Sequence, residues 1–181
     1  MKILNKLFIG IFFLFTLITI TSCDPFDDVY LTLAMDIEFS TSGFGSSFNI
    51  IENFCLSDFE DYDENKDNVE EILYVSSAYL TIDATSGLSA QTLSINLYQE
   101  DGVTILFDYT IQNFVASNYK NNPLEITLTQ QQVADINAYL VNPQEDKCFV
   151  ATLTASNVQP NTTQYFLTSK VDLLTELKVK P

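Results

Sequence analysis

Four side chains carrying oxygen ligands stand at alternate positions in one stretch of the chain: Asp61, Asp63, Asn65 and Asp67. Calcium loops of the D-x-[DN]-x-[DN]-G type use this spacing, because a hard cation is wrapped by carboxylate and carbonyl oxygens. The match then fails. Lys66 stands where a glycine makes the sharp turn, and Ile72 stands where a bidentate glutamate closes the shell. Residues 57–71 therefore read either as a weak calcium site of the extracellular kind or as a solvated acidic loop. Calcium is the only cofactor for which the sequence offers ligands. Paired carboxylates also hydrolyse glycosides when they face each other at about 5–10 Å. No Asp or Glu here lies within an apolar stretch that would raise its pKa usefully. With no tryptophan present, Tyr30, Tyr62, Tyr74 and Tyr79 are the aromatic surfaces left for a sugar.

The cysteines are the other reactive groups. Cys23 closes a leader in which Lys2 and Lys6 precede the apolar run 7–20 and the small residues Thr21 and Ser22. As a helix that run spans roughly 21 Å, short of the roughly 30 Å hydrocarbon core. A positive start, a short apolar centre and a small residue before the cut mark a secretory signal peptide. Ile20-Thr21-Ser22-Cys23 further resembles the lipobox of bacterial lipoproteins, a likeness confined to the leader and its cysteine. The resemblance implies cleavage after Ser22, a diacylglyceryl group on Cys23, and residence in the cell envelope. That means the outer membrane, on its periplasmic or its surface face. One acyl chain holds a protein to a bilayer only marginally, so durable anchoring takes two or more.

Removal of residues 1–22 leaves Cys55 and Cys148. An even number of cysteines in an exported chain allows a disulfide, and two buried thiols packing as small hydrophobes is the alternative.

Composition removes whole classes of function. The chain carries 24 acidic residues against 8 basic ones, all of them lysine, with a net charge of −16. Loss of Lys2 and Lys6 makes it more negative still. Such a surface repels phosphate backbones and anionic head groups, so no nucleic-acid partner is expected and the lipid must do the anchoring. Histidine, arginine and tryptophan are absent. Histidine-based triads, histidine-ligated zinc and arginine clamps on phosphate go with them.

The elements that must position these groups are mostly strands. Residues 23–28 form a short acidic tether, and residues 29–181 a single domain. From Val29 to Phe39 every second residue is apolar, the period of a half-buried strand. Residues 40–47 read as a loop and 48–54 as a second strand. Ile72, Tyr74, Ser76, Ala78, Leu80 and Ile82 share one face of a third, whose other face is partly apolar. Leu93, Ile95 and Leu97 make a fourth. Glu100-Asp101-Gly102 turns the chain into a fifth that carries Val103, Ile105, Phe107, Tyr109 and Ile111.

A short strand at Leu124, Ile126 and Leu128 precedes the one clear helix. Thr129 caps that helix, Val133, Ile136 and Leu140 face inward, and Pro143 stops it. Phe149, Ala151 and Leu153 form the next strand. Residues 165–179 form the last, with Ser169 interrupting the stripe as a bend. About eight strands and one short helix predict an antiparallel β-sandwich, immunoglobulin-like or jelly-roll-like.

The expectation is a lipid-anchored, non-enzymatic envelope protein that binds or scaffolds a protein or glycan partner. The alternatives are a calcium-dependent or glycan-binding adhesion module and, less favoured, a carboxylate hydrolase.

Overall fold

In the computed structural model, residues 29–180 are described. The leader, Cys23 and the tether lie outside the described residues, as does Pro181. Eight strands follow in order: β1 (Val29–Gly43), β2 (Ser47–Cys55), β3 (Val69–Ala84), β4 (Ser89–Gln99), β5 (Ile105–Val115), β6 (Leu124–Glu125), β7 (Cys148–Ser156) and β8 (Tyr165–Val179). A four-residue helix α1 (Glu60–Asp63) sits between β2 and β3, and α2 (Gln130–Tyr139) lies between β6 and β7.

The strands form two antiparallel four-stranded sheets, ordered β1-β8-β3-β6 and β2-β7-β4-β5. Within them β1 pairs with β8, β2 with β7, β3 with β6 and β4 with β5. The first half of the chain is thus a long ladder against the second half. That ladder is folded over so that β8 also joins β3 and β7 also joins β4. This strand order is the jelly roll, which decides between the two sandwich topologies left open by the sequence.

Period-two patterning places the core. Leu33, Met35, Ile37 and Phe39 of β1 point inward, as do Phe149, Ala151, Leu153 and Ala155 of β7. In β8 every odd residue from Tyr165 to Val179 is buried. Ser169 does not bend that strand. It is fully buried in a continuous ladder, opposite Phe39 on one side and Thr81 on the other. The irregularity falls on the neighbour instead, where β3 shifts register between Thr81 and Asp83.

An earlier bulge, between Tyr74 and Ser76, changes which face of β3 looks inward. Ile72 is buried before it, and Ser77, Tyr79 and Thr81 are buried after it. Leu80 and Ile82 therefore lie on the outer face, contrary to the unbroken alternation expected from sequence. One extra residue in a strand exchanges its two faces. β5 departs in a similar way. It begins at Ile105, leaving Val103 78% exposed in the turn, and Asn113 at φ 52° moves the buried set from Ile111 to Phe114. The expected loop at 40–47 is shorter too, because β1 runs on to Gly43.

β6 is only two residues long and covers β3 only at Ala78 and Tyr79. Below that point α2 takes its place. Thr129 caps the helix by accepting the Gln132 N–H, while the Gln132 side chain accepts the Thr129 N–H at 2.9 Å. This reciprocal pair satisfies two donors at the helix start. The helix buries Ile136 and then Leu140, and it ends at Tyr139, ahead of Pro143. Its Asn137 carboxamide accepts the Tyr74 N–H at 2.9 Å. A side chain thus supplies what a strand partner would have given.

Asn137→Ala strands that donor. The expected loss is about 1 kcal/mol of stability, read as a lower urea midpoint with an unchanged slope. Faster hydrogen exchange at the Tyr74 amide is expected alongside it.

Candidate functional site

The sandwich has two chemically different ends. At one lie the first described residue, the last strand's end and the connections 56–68, 100–104 and 126–147. The other holds the four turns 44–46, 85–88, 116–123 and 157–164. The two cysteines and the four candidate calcium ligands belong to the first end.

Cys55 and Cys148 are register partners at the end of the β2/β7 ladder and are joined, Sγ to Sγ, at 1.99 Å. The chain after Cys55 is stitched to the chain before Cys148. Asp58 accepts the Cys55 N–H at 2.7 Å, and Leu56 N–H donates to the Lys147 carbonyl at 3.0 Å. Asp146 accepts both the N–H and the hydroxyl of Ser57, at 3.0 and 2.6 Å. The Tyr62 hydroxyl, on a fully buried ring, donates to the Pro143 carbonyl at 2.8 Å. Burial, and then the negative charge of Asp146, push that phenol above its ordinary pKa. Tyr62 therefore anchors the loop and is not an exposed sugar platform. Tyr79 is buried in the core with its pKa pushed up to about 12 by desolvation, so it is equally unavailable.

The calcium residues are not gathered. Asp61 and Asp63 lie on α1, where residues two apart point to opposite sides, whereas a binding loop would turn both inward. Asp63 is paired with Lys66 at 2.7 Å, and the Asn65 side chain donates to the Asp61 carbonyl at 2.8 Å. Among the described residues the one metal-ligand group is Cys55, Asp146 and Cys148, whose ligand atoms lie within 4.8 Å of one another. With the two sulfurs bonded to each other neither is a thiolate, and thiolate is the form that binds metal. Asp146 gave no signal in the sequence, since only the fold carries it to Cys55.

A pair of carboxylates that the sequence reading passed over lies on the outer face of the first sheet. Asp36 and Asp172 are direct register partners in β1 and β8. Lys170 bridges them, 3.1 Å from Asp36 and 2.9 Å from Asp172. Half-burial raises the Asp172 pKa, Lys170 works against that, and Asp36 adds to it. The pair sits on a sheet surface and spans no cleft. The clefts border α2 and the β2/β7 end instead. One, of about 470 Å³ and open to solvent, is lined by Ile72, Leu73, Leu140 and Val141 together with Glu70, Glu71 and Lys178. Between the sheets the space is filled by side chains such as Phe39, Tyr79, Leu93, Phe107 and Phe114, so the interior holds packed core where an apolar ligand would need room.

The far end was invisible as a unit in the sequence, because its four turns are dispersed along the chain. Backbone hydrogen bonds tie them together. Val158 N–H donates to the Ser46 carbonyl, Ser89 and Gln159 exchange two bonds, and Ala116 N–H donates to the Leu88 carbonyl. No Asp or Glu occurs in any of the four. Their one cation, Lys120, is paired with Asp83 at 2.9 Å. The opposite connections hold Asp58, Glu60, Asp61, Asp63, Glu64 and Asp67, then Glu100 and Asp101, then Asp135, Glu145 and Asp146. The domain is electrically lopsided along its length.

No protein family and no curated protein matches the chain. Solved structures resemble it in strand arrangement. A decameric BFDV capsid protein is 13% identical with a TM-score of 0.45, over 84% of this chain and 99% of that one. A tobacco necrosis virus structure is 11% identical with a TM-score of 0.38, over 86% and 97%. No property of either is carried over. Among the described residues no helix is long and apolar enough to cross a membrane.

Two outcomes follow from this geometry. Alkylation of the unreduced protein should leave its mass unchanged at Cys55 and Cys148. Replacing both with serine should cost about 4 kcal/mol for a loop of sequence separation 93. For the carboxylate pair, Asp172 holds its proton more tightly folded than unfolded. Stability therefore falls as pH rises from the ordinary 3.8 through the raised value. Lys170→Gln removes the group opposing that rise. The variant should match the parent near pH 3 and fall below it by roughly 1 kcal/mol at pH 7, in chemical denaturation at both pH values.

Proposed function

We propose that the protein is a lipid-anchored, non-enzymatic binding or scaffolding component of the cell envelope, an outer-membrane module held by Cys23. The observation that carries this reading is the run from Lys2 to Cys23, with its short apolar centre and Ile20-Thr21-Ser22-Cys23 at the cut. Two further features support it. The first strand starts at Val29, so the tether reaches only about 20 Å even when extended. The end of the sandwich that this tether enters is rich in carboxylates, which hold it off anionic lipid by charge and leave the acyl chains as the attachment.

A binding role is favoured over catalysis by the chemistry available. Histidine and arginine are absent, the Asp36–Asp172 pair lies on an open sheet face, and Tyr62 and Tyr79 are committed to packing. A hydrolase would need its two carboxylates across a cleft. The calcium alternative loses its geometric basis with Asp61 and Asp63 on a helix.

Cys23→Ser decides the anchoring. The expected result is loss of lipid labelling and an unprocessed leader, whereas the amino terminus of the parent maps to Cys23. A Cys23→Ser protein processed and membrane-bound like the parent would refute the proposal.

A further inference from the structure

The far end of the sandwich, made by turns 44–46, 85–88, 116–123 and 157–164, has no carboxylate in its turns, and its one lysine, Lys120, is paired with Asp83. We infer that this end is a recognition surface for a neutral glycan. The inference rests on the anchored reading for its orientation and on the structure for its chemistry.

The surface is built from groups that suit a polyhydroxylated, uncharged ligand. Side-chain amides and hydroxyls crowd the turns: Asn118, Asn121, Asn122, Asn161, Thr162 and Thr163. An amide offers acceptor and donor side by side, and sugar hydroxyls require both. Phe44 is 69% exposed in a turn that Gly45 closes at φ 110°, and that turn is bonded to the one carrying Asn161, Thr162 and Thr163 through Val158 N–H and the Ser46 carbonyl. An exposed aromatic face is what the C–H side of a sugar ring stacks on.

The platform is also preorganised. The bonds from Val158 to Ser46, between Ser89 and Gln159, and from Ala116 to Leu88 lock the turns to one another. Tyr119 secures the 116–123 turn from beneath, stacked on Phe114 at 5.7 Å and edge-on to Tyr79 at 5.8 Å. A surface fixed before binding loses less freedom when it binds.

Other partners fit less well. Protein interfaces draw on clusters of aromatic residues, Arg and Met at their centres, and these turns expose a single such residue, Phe44. Nucleic acids and acidic polymers need cations, but Lys120 is already paired with Asp83. The absence of carboxylates matters because the ligand would otherwise desolvate charges without compensation. Position agrees as well. β1 is 15 residues long and runs from the tethered end to this one, a distance of roughly 50 Å. The platform then faces away from the bilayer.

The test is native affinity electrophoresis of the detergent-solubilised full-length protein, through gels cast with a mannan, a dextran or a galactan. Retardation by at least one of these is expected. Phe44→Ala and, separately, Asn161→Asp should each weaken it at least ten-fold, while Val103→Asp at the opposite end leaves it unchanged. Thermal melts of each variant establish that it is folded, and the two substitutions on the platform act through different chemistry. Absence of retardation in all three gels, or retardation that survives both platform substitutions, overturns the inference. So does a concentration-dependent doubling of mass that Phe44→Ala abolishes, since the occupant would then be a second copy of the chain. Cys23→Ser should abolish lipid labelling and leave retardation intact, which separates failure of the anchor from failure of the site.

Discussion

β8 is the strand on which the rest of the sandwich depends. It lies between β1 and β3, paired along nearly its whole length with both. All its odd positions are buried, including Ser169 and Thr175 among the leucines and valines. The Thr175 hydroxyl lies 3.5 Å from the Leu33 carbonyl, and the Tyr79 and Thr81 hydroxyls meet at 3.3 Å near Ser169, whose own hydroxyl is buried with no hydrogen-bond partner among the described residues. Because β8 runs without a break, its neighbours absorb the irregularities. β3 carries the bulges.

This division explains what could be read in advance. β1 and β8 have strict alternation and no bulge, so period-two patterning located their inner faces and the extent of β8, while β1 runs four residues past its expected end to Gly43. The same reasoning misassigned β3 beyond Tyr74, because a bulge at that point leaves no mark in composition and yet exchanges the two faces. Asn113 hides a similar change in β5, since an asparagine in a strand does not announce a positive φ. The helix was legible from Thr129 and the spacing of Ile136 and Leu140. Its use as a substitute for a strand was not, since that depends on Asn137 meeting Tyr74 across the fold.

The functional chemistry divides along the same line. Local spacing suggested calcium at Asp61, Asp63, Asn65 and Asp67, but spacing gathers ligands only in the right backbone conformation, and α1 turns alternate residues apart. Groups assembled by topology had no local signature. Asp146 beside the two cysteines, Asp36 opposite Asp172, and the four uncharged turns each bring together residues far apart in the chain. Once the jelly-roll order is known, the separation of charge into one end follows from reading which connections share that end. A net charge of −16 spread evenly would have repelled most approaching surfaces from every side. The carboxylates instead lie on the strands and on the connections of one end, and the four turns of the other end hold none.

The pairing of β1 with β8 has a consequence in time as well as in space. A chain made from its amino terminus presents β1 first, and β1 meets its ladder partner only when the final strand is complete. β2 waits almost as long for β7. The contacts that close both sheets are therefore among the most distant in sequence, the class whose formation is slowest. The local pair of β4 with β5 has no such wait, but neither sheet can close before β7 and β8 have been made.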